Sequence, residues 1–447
     1  MRGEAPAPLV EYCPMVLHDF RVDDRGALLI GGSRAVDLAE EFGTPTLVLD
    51  EERLRRAAHA YREALAESYP RSQPIFASKA LCIMATCRLA YDEGLHVDVA
   101  SGGELYTARR AGVPAEALHF HGNNKTPEEL RFALEEGVGR IIVDNDYELD
   151  LLDELTRPLG RRAAVLLRVA PGIEPHTHKA IVTGGVDSKF GFGIAGGAAV
   201  AAIKRALEIP GIDLRGVHSH IGSQIVDLEP FRLAARALAD FLAQVRRELD
   251  LTFPELNLGG GLGIAYLPED APPAIPTFVR AVTGALREAL DRHGLPLPLL
   301  SLEPGRSLVG AAGVTLYTVG AIKTIPGIRT YVSVDGGMFE NPRPALYGSR
   351  YTAALAARAE APPDGIVTIA GRCCESGDVL IWEAPLPALR SGDRLAVFST
   401  GAYTYSMASN YNRFPRPAVV LAGDAAPRLV VERETYEDLI RKDRALA

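Results

Sequence analysis

From about residue 45 onward the chain alternates short apolar runs with longer segments whose apolar residues recur at three- and four-residue spacing. The short runs are TLVLD, PIFASK, HVDVAS, ALHFHGN, RIIVDN, AVLLRVA, GVHSHIGS, ELNLGGG and LLSLEPGR. Between them, DEERLRRAAHAYREALAESY and LEPFRLAARALADFLAQVRREL each show an apolar stripe and a charged face, as amphipathic helices do. This alternation predicts repeated βα units on parallel strands. The nine runs are one more than an eight-stranded barrel needs, and the pattern does not say which one stays outside it.

Nearly every run ends in a polar residue or glycine: Lys79, Asp98 with Ser101, His121 with Asn123, Asp144, Arg168, His220 with Ser223, Gly259 to Gly261, and Glu303 with Arg306. An open doubly wound sheet would use only the loops near one switch point, whereas a barrel gathers all its strand ends at one mouth. The expected fold is therefore a (β/α)8 TIM-type barrel over residues 45–312. After residue 312 the texture changes to strand after strand without long helices, from VTLYTVGAIKTI to RLVVERE, which predicts a second, all-β domain. Residues 1–44 hold one short apolar run, ALLIGG, that could return to that domain as a strand, so the β domain is expected to be discontinuous, 1–44 plus 313–447. The proline-rich PEDAPPAIP near residue 270 reads as a surface loop of the barrel.

Composition narrows the partners. The 447 residues carry a net charge of -9 and no long basic run, which argues against a nucleic-acid surface or an anionic membrane. No stretch approaches the roughly 20 apolar residues of a membrane span, and the expected location is cytoplasmic. Five cysteines without pattern suit reduced thiols better than a disulfide framework.

Candidate chemistry sits at the strand ends. Lys79, one of only seven lysines, closes the apolar run PIFA; desolvated there, its amine would be freed to attack a carbonyl. GGGLG at 259–263 follows ELNL and can bring backbone N–H groups to a phosphate, yet neither a Walker pattern nor a dinucleotide fingerprint accompanies it. In LEPGR, Glu303 could keep a pyridine nitrogen protonated while Arg306 faces a carboxylate. CCESGD at 373–378 places a thiol beside a carboxylate, a possible proton donor with a substrate anchor. The pairs His176 with His178 and His218 with His220 invite a metal, but no Cys or acidic set completes either, and no metal is expected. His220 is better read as a ring stacked on a flat cofactor, with Ser223 reaching a phosphate.

With these residues in view, the chain resembles the fold-type III pyridoxal phosphate decarboxylases from about residue 40 to 440. The resemblance rests on FASKA, HVDVASGGEL, HGNNKTPEEL, HTHKAIVTGGVDSKFG, HSHIGSQ, LGGGLGIAY, EPGR, VDGGM, RPALYG, CCESGD, TGAY and SNYN, in family order. Single motifs are shared with ornithine and arginine decarboxylases; the long strings together resemble the diaminopimelate branch most. The resemblance implies that pyridoxal 5'-phosphate is the cofactor and Lys79 its Schiff-base lysine. It implies cofactor contacts from Asp98, His220, Ser223, Gly259, Gly260, Gly261, Glu303, Gly305, Arg306 and Tyr403. Arg306, Arg343, Tyr347, Glu375 and Tyr403 match substrate-binding positions, and Cys374 matches a general acid that reaches the site from a neighbouring subunit. A homodimer with shared sites follows, acting on a small amino acid. The implied reaction is decarboxylation of meso-2,6-diaminopimelate to L-lysine, with ornithine, arginine or carboxynorspermidine as alternative substrates. Two departures stand out: Cys373 precedes the matched thiol, and Pro342 and Pro344 flank Arg343.

Overall fold

A computed structural model describes residues 20–173 and 189–446. The described residues divide into two units, one of residues 55–173, 189–264 and 272–308, the other of residues 20–54, 265–271 and 309–446.

The first unit is the barrel. Its strands are β1 (Ser72–Ala77), β2 (His96–Val99), β3 (Leu118–Phe120), β4 (Arg140–Val143), β5 (Ala163–Ala170), β6 (Ile212–His218), β7 (Glu255–Asn257) and β8 (Leu299–Leu302). Each pairs in parallel with the next, and β8 returns to β1 through Leu300 opposite Ser72 and Leu302 opposite Pro74. The ladder continues past several strand ends: Ala77 N–H donates to Pro304 O at 2.9 Å, and Glu303 N–H to Gly259 O at 2.8 Å. These bonds fix the rim on which the polar strand ends sit. The intervening helices begin where the sequence supplies caps. In KTPEEL, Thr126 and Glu129 cap each other's backbone, Pro127 opens the helix Pro127–Glu136, and Gly137 closes it in the left-handed region.

The ninth apolar run, TLVLD, is the one outside the barrel. Thr46–Asp50 lies in the second unit's sheet, between the antiparallel partner Gly313–Ile325 and the parallel partner Ala418–Ala422. Gly313–Ile325 is long enough to pair also with Arg329–Val334 and Arg394–Val397. ALLIGG does not join that sheet. Leu28–Ile30 makes a small sheet of its own with Arg21–Val22 and Ser33–Arg34, and Leu28 and Ile30 pack into the second unit's core with Val48, Val314, Leu316 and Phe398. Residues 265–271, read from sequence as part of a barrel loop, group with the second unit. Tyr266 meets the Tyr351 ring edge-on at 5.5 Å, Glu269 pairs with Arg350 at 3.0 Å, and Ser399 Oγ donates to Ala265 O. A short strand, Ala353–Leu355, escaped the sequence reading because three small apolar residues carry no alternation.

Candidate active site

The barrel rim gathers one group of side chains. Lys79 stands in the single turn Ser78–Ala80 directly after β1, among Asp98, Glu104, His218 and His220, each of which feels its charge. Asp98, at 1% exposure, accepts the Ser78 N–H on Oδ1 at 3.0 Å, while its Oδ2 has no hydrogen-bond partner. Burial pushes its carboxyl up to about 6, against the pull of His121 and Lys79.

Glu303, just past β8, is buried among three polar side chains. Asn257 Nδ2 donates to Oε1 at 2.7 Å, His121 Nε2 lies 3.0 Å from Oε1, and His218 Nε2 lies 3.2 Å from Oε2. Burial opposes its ionisation, but the two imidazoles outweigh it and hold the carboxyl well below the usual range. Burial in turn keeps His121 and His218 below the ordinary histidine value. A carboxylate offers about four lone-pair sites; Asn257 and His218 hydrogen-bond to two of them and His121 stands in contact with Oε1, so at least one N–H can still be received.

Beside it, His220 Nδ1 accepts the Gly260 N–H at 3.3 Å, which leaves the ring proton on Nε2. Burial, then the positive charges of Lys79 and Arg168, hold this imidazole well below its usual value, so it is a neutral flat ring clamped by backbone. The glycine loop packs as tightly as its sequence requires. A Cβ on Gly260 would stand 1.9 Å from Glu303 O, and Gly261 runs at φ +125° with Gly222 O 2.5 Å from where its Cβ would be. The sequence reading gave the Gly259 to Gly261 loop to a phosphate. In the structure Gly259 N–H donates to Asn257 Oδ1 at 2.8 Å and Gly260 N–H to His220, so the loop first positions Asn257 and His220. Arg306 reaches Ser223 Oγ with Nε at 3.3 Å and Nη2 at 3.0 Å, which leaves the Ser223 proton to point elsewhere.

Sequence reasoning gave no role to His121, His218 or Asn257. It dismissed His218 for want of an acid, and the acid is Glu303, from a strand 85 residues away. The signal was the polar end of each run: His121 follows β3, and His218 and Asn257 are the last residues of β6 and β7. The ligand atoms of His121, His218 and Glu303 lie within 4.8 Å of one another, close enough for a cation, but the Asn257 amide on Glu303 suits a hydrogen-bonded carboxylate better. His176 and His178 lie outside the described residues.

The β unit carries a second group. The helix Arg343–Tyr347 starts with proline on either side of Arg343, as a helix N-terminus favours. Arg343 is buried; Nε donates to Tyr351 Oη at 3.0 Å and Nη2 to Ser349 Oγ at 3.2 Å, with its guanidinium 5.6 Å from the Tyr347 ring and 5.9 Å from the Tyr403 ring. Tyr403 holds φ +59°, a conformation side chains rarely adopt. Cys374 and Glu375 are exposed on the loop between Gly365–Ala370 and Val379–Leu386. Buried Asp378 pins that loop by accepting from Met338 N–H and Cys373 N–H, each at 2.7 Å. Cys373 is the thiol that burial and the Asp378 carboxylate push up to about 12, while Cys374 faces out with its N–H on Asn412 Oδ1. The four described cysteines are free thiols.

Residues 51–310 match the pyridoxal binding domain of the pyridoxal-dependent decarboxylases. The chain belongs to that family. Among this decarboxylase's relatives, one from Bacillus subtilis (strain 168) named diaminopimelate decarboxylase is 51% identical over 430 residues, covering 96% of this chain and 98% of the relative. The crystal structure of a diaminopimelate decarboxylase from M. jannaschii in co-complex with L-lysine matches with a TM-score of 0.88 and 38% identity, covering 96% and 98% of the two chains. One from Helicobacter pylori complexed with L-lysine matches with a TM-score of 0.82 and 29% identity, covering 91% and 98%. The decarboxylase is thus a pyridoxal-phosphate-dependent carboxy-lyase, and its barrel fits that cofactor: a buried carboxylate with one acceptor site to spare, a neutral ring held by Gly260, and an orphaned Asp98 oxygen. No helix among the described residues is long and apolar enough to cross a membrane.

Proposed function

We propose that the chain decarboxylates meso-2,6-diaminopimelate to L-lysine and CO2, the last step of lysine biosynthesis, as a cytoplasmic homodimer with shared active sites. The observation that carries the reading is the 51% identity, over nearly the full length of both chains, to a relative named for this activity. The bound cofactor supplies an electron sink for the bond that breaks when CO2 leaves. Lys79 tethers it, and Asp98 and Glu303 supply the negative charge that holds protons on the ring and its substituent. Glu303 does so at the ring nitrogen, because its histidine and asparagine partners keep it ionised. His220 would lie along the ring face, and Ser223, Gly305, the Arg306 backbone and the Gly261 end of the glycine turn would hold the phosphate, Gly259 and Gly260 being engaged with Asn257 and His220.

Substrate has two amino-acid ends, so the end that does not react needs its own grip. Arg306 and Arg343 suit its carboxylate and Glu375 its ammonium, and Tyr347 and Tyr403 match further substrate-binding positions. Cys374 delivers a proton to the carbon that lost CO2, and in our reading it does so in the partner subunit's site. Cys373 does not suit that task, since its proton is held by burial and Asp378.

The test is CO2 release from purified protein with added pyridoxal phosphate, offered meso-diaminopimelate, its L,L isomer, ornithine and carboxynorspermidine. Turnover of the meso compound alone is expected; turnover of ornithine or carboxynorspermidine with none of diaminopimelate overturns the substrate. Mixing inactive Lys79→Ala and Cys374→Ala proteins restores activity if sites are shared, and leaves both inactive if each chain works alone.

A further inference from the structure

The β unit contains a cavity of about 580 Å³ that none of the roles above uses. Its size is that of a small-molecule pocket. Its lining is partly aromatic: Phe339 and Phe414 pack with ring centroids 5.1 Å apart, and the Arg372 guanidinium carbon lies over the Phe414 ring, 4.3 Å from its centroid. A guanidinium held over a ring can still present N–H donors to a planar partner. The Arg372 side chain makes one long hydrogen bond, to Asp335 O at 3.5 Å, and has no carboxylate within 4 Å among the described residues.

Arg433 lines the same cavity, half-buried. It donates to Thr46 Oγ1 at 3.0 Å and Phe42 O at 3.4 Å, again with no carboxylate within 4 Å among the described residues. The other charges of the wall are answered. Arg413 pairs with Asp443 at 2.8 Å, Glu434 is held by Arg416 and Asn410, and Asp335 accepts from Thr318 N–H and Thr44 Oγ1. After these pairings Arg372 and Arg433 face a single Asp335, which leaves one positive charge over. Tyr436, 78% exposed, also lines the cavity as a further apolar surface.

From this arrangement we propose that the cavity is a binding site for a small organic carboxylate with a flat apolar body, its carboxylate on the Arg372 edge and its body against Phe339 and Phe414. A carboxylate matches the planar fork of a guanidinium with two parallel hydrogen bonds, and the rings beside it favour a flat body. Asn412 also lines the cavity and accepts the Cys374 N–H, so a ligand there sits one hydrogen bond from the thiol loop.

The test uses the full-length protein saturated with cofactor and titrated with benzoate by calorimetry, with benzyl alcohol as the uncharged control. Benzoate is expected to bind once per chain while benzyl alcohol does not. Arg372→Ala, at an exposed position outside the proposed catalytic set, weakens binding by about tenfold or more, the scale of a charge-assisted pair. Crystals soaked in 4-bromobenzoate place the bromine signal in this cavity. Equal binding of benzyl alcohol, an unchanged isotherm in Arg372→Ala, absence of saturable binding, or a bromine signal only elsewhere each overturns the proposal.

Discussion

Two buried polar clusters lie on the same barrel, and they are built to opposite rules. Past β3 the Lys125–Glu148 pair is fully bonded, although Asp144 Oδ1 beside it has no hydrogen bond. The Lys125 ammonium donates to Gly122 O at 2.8 Å, Ile142 O at 2.6 Å and Glu148 Oε2 at 2.9 Å, which uses all three protons. Glu148 also accepts the N–H groups of Lys125 and Asp144 at 3.1 and 2.9 Å. Around Glu303 the account is left open: Asp98 Oδ2, His218 Nδ1 and Ser219 Oγ are buried without partners. An unanswered buried polar atom costs about 1–3 kcal/mol, so a fold keeps several together only where something else answers them. The first cluster is a rivet, and the second is a binding site.

The sharpest way to break that contrast is to exchange the fates of the two lysines. Lys79→Ala is expected to lower kcat by at least about 10³-fold, since it removes the tether and its acid-base capacity together. The melting temperature of the cofactor-free protein stays close to the parent's. Lys125→Met instead leaves Glu148 charged and buried, at a cost of about 3–5 kcal/mol. Denaturant unfolding of both cofactor-free variants, with steady-state rates, reads the two effects. If Lys125→Met unfolds like the parent, the rivet is not one.

Next in size is the choice between adjacent thiols. Cys374→Ala is expected to lower kcat by about 10²–10³-fold, the scale of a lost general acid. Cys373→Ala changes it by less than about threefold, because that thiol serves Asp378 within its own loop. A larger loss from Cys373→Ala would reverse the assignment. On the barrel, Glu303→Gln keeps the shape and the Asn257 contact but removes the charge, and about a 10²-fold fall in kcat is expected, with the cofactor still bound. Unchanged kcat would remove Glu303 from the ring nitrogen.

How much of this was legible in the chain follows from where the partners come from. Lys79 could be read because the run PIFA places it at a strand end with no other information. Glu303 could be read as an acid at a strand end, but its setting could not, since His121, Asn257 and His218 converge on it from three other strands. Local periodicity sees one strand at a time, and the closure of the barrel supplies the rest. The same limit explains TLVLD, whose five buried residues look like any parallel strand; only its partners Gly313–Ile325 and Ala418–Ala422 assign it to the other unit. ALLIGG was read as a strand but not as one with its own small sheet, because edge pairing over two or three residues leaves no mark on the pattern.

The smallest effect concerns a third kind of buried charge, in the β unit. Glu340 accepts the Tyr317 hydroxyl at 2.6 Å and the Gly337 N–H at 3.3 Å. It has no cation partner among the described residues, and burial pushes its carboxyl from 4.5 up to about 8. The folded state therefore keeps a proton that the unfolded chain releases, so stability is full below 4.5 and falls as pH rises toward about 8. Glu303 on the barrel behaves in the opposite sense, because its imidazoles hold it ionised. Glu340→Gln keeps an acceptor for Tyr317 and has no proton to lose, so its melting temperature should decline less than the parent's across that window. At this chain length about 1 kcal/mol moves the midpoint by 2 °C or less, which scanning calorimetry at several pH values resolves. Parallel curves for parent and variant would place the titration elsewhere and make Glu340 an ordinary ionised acid.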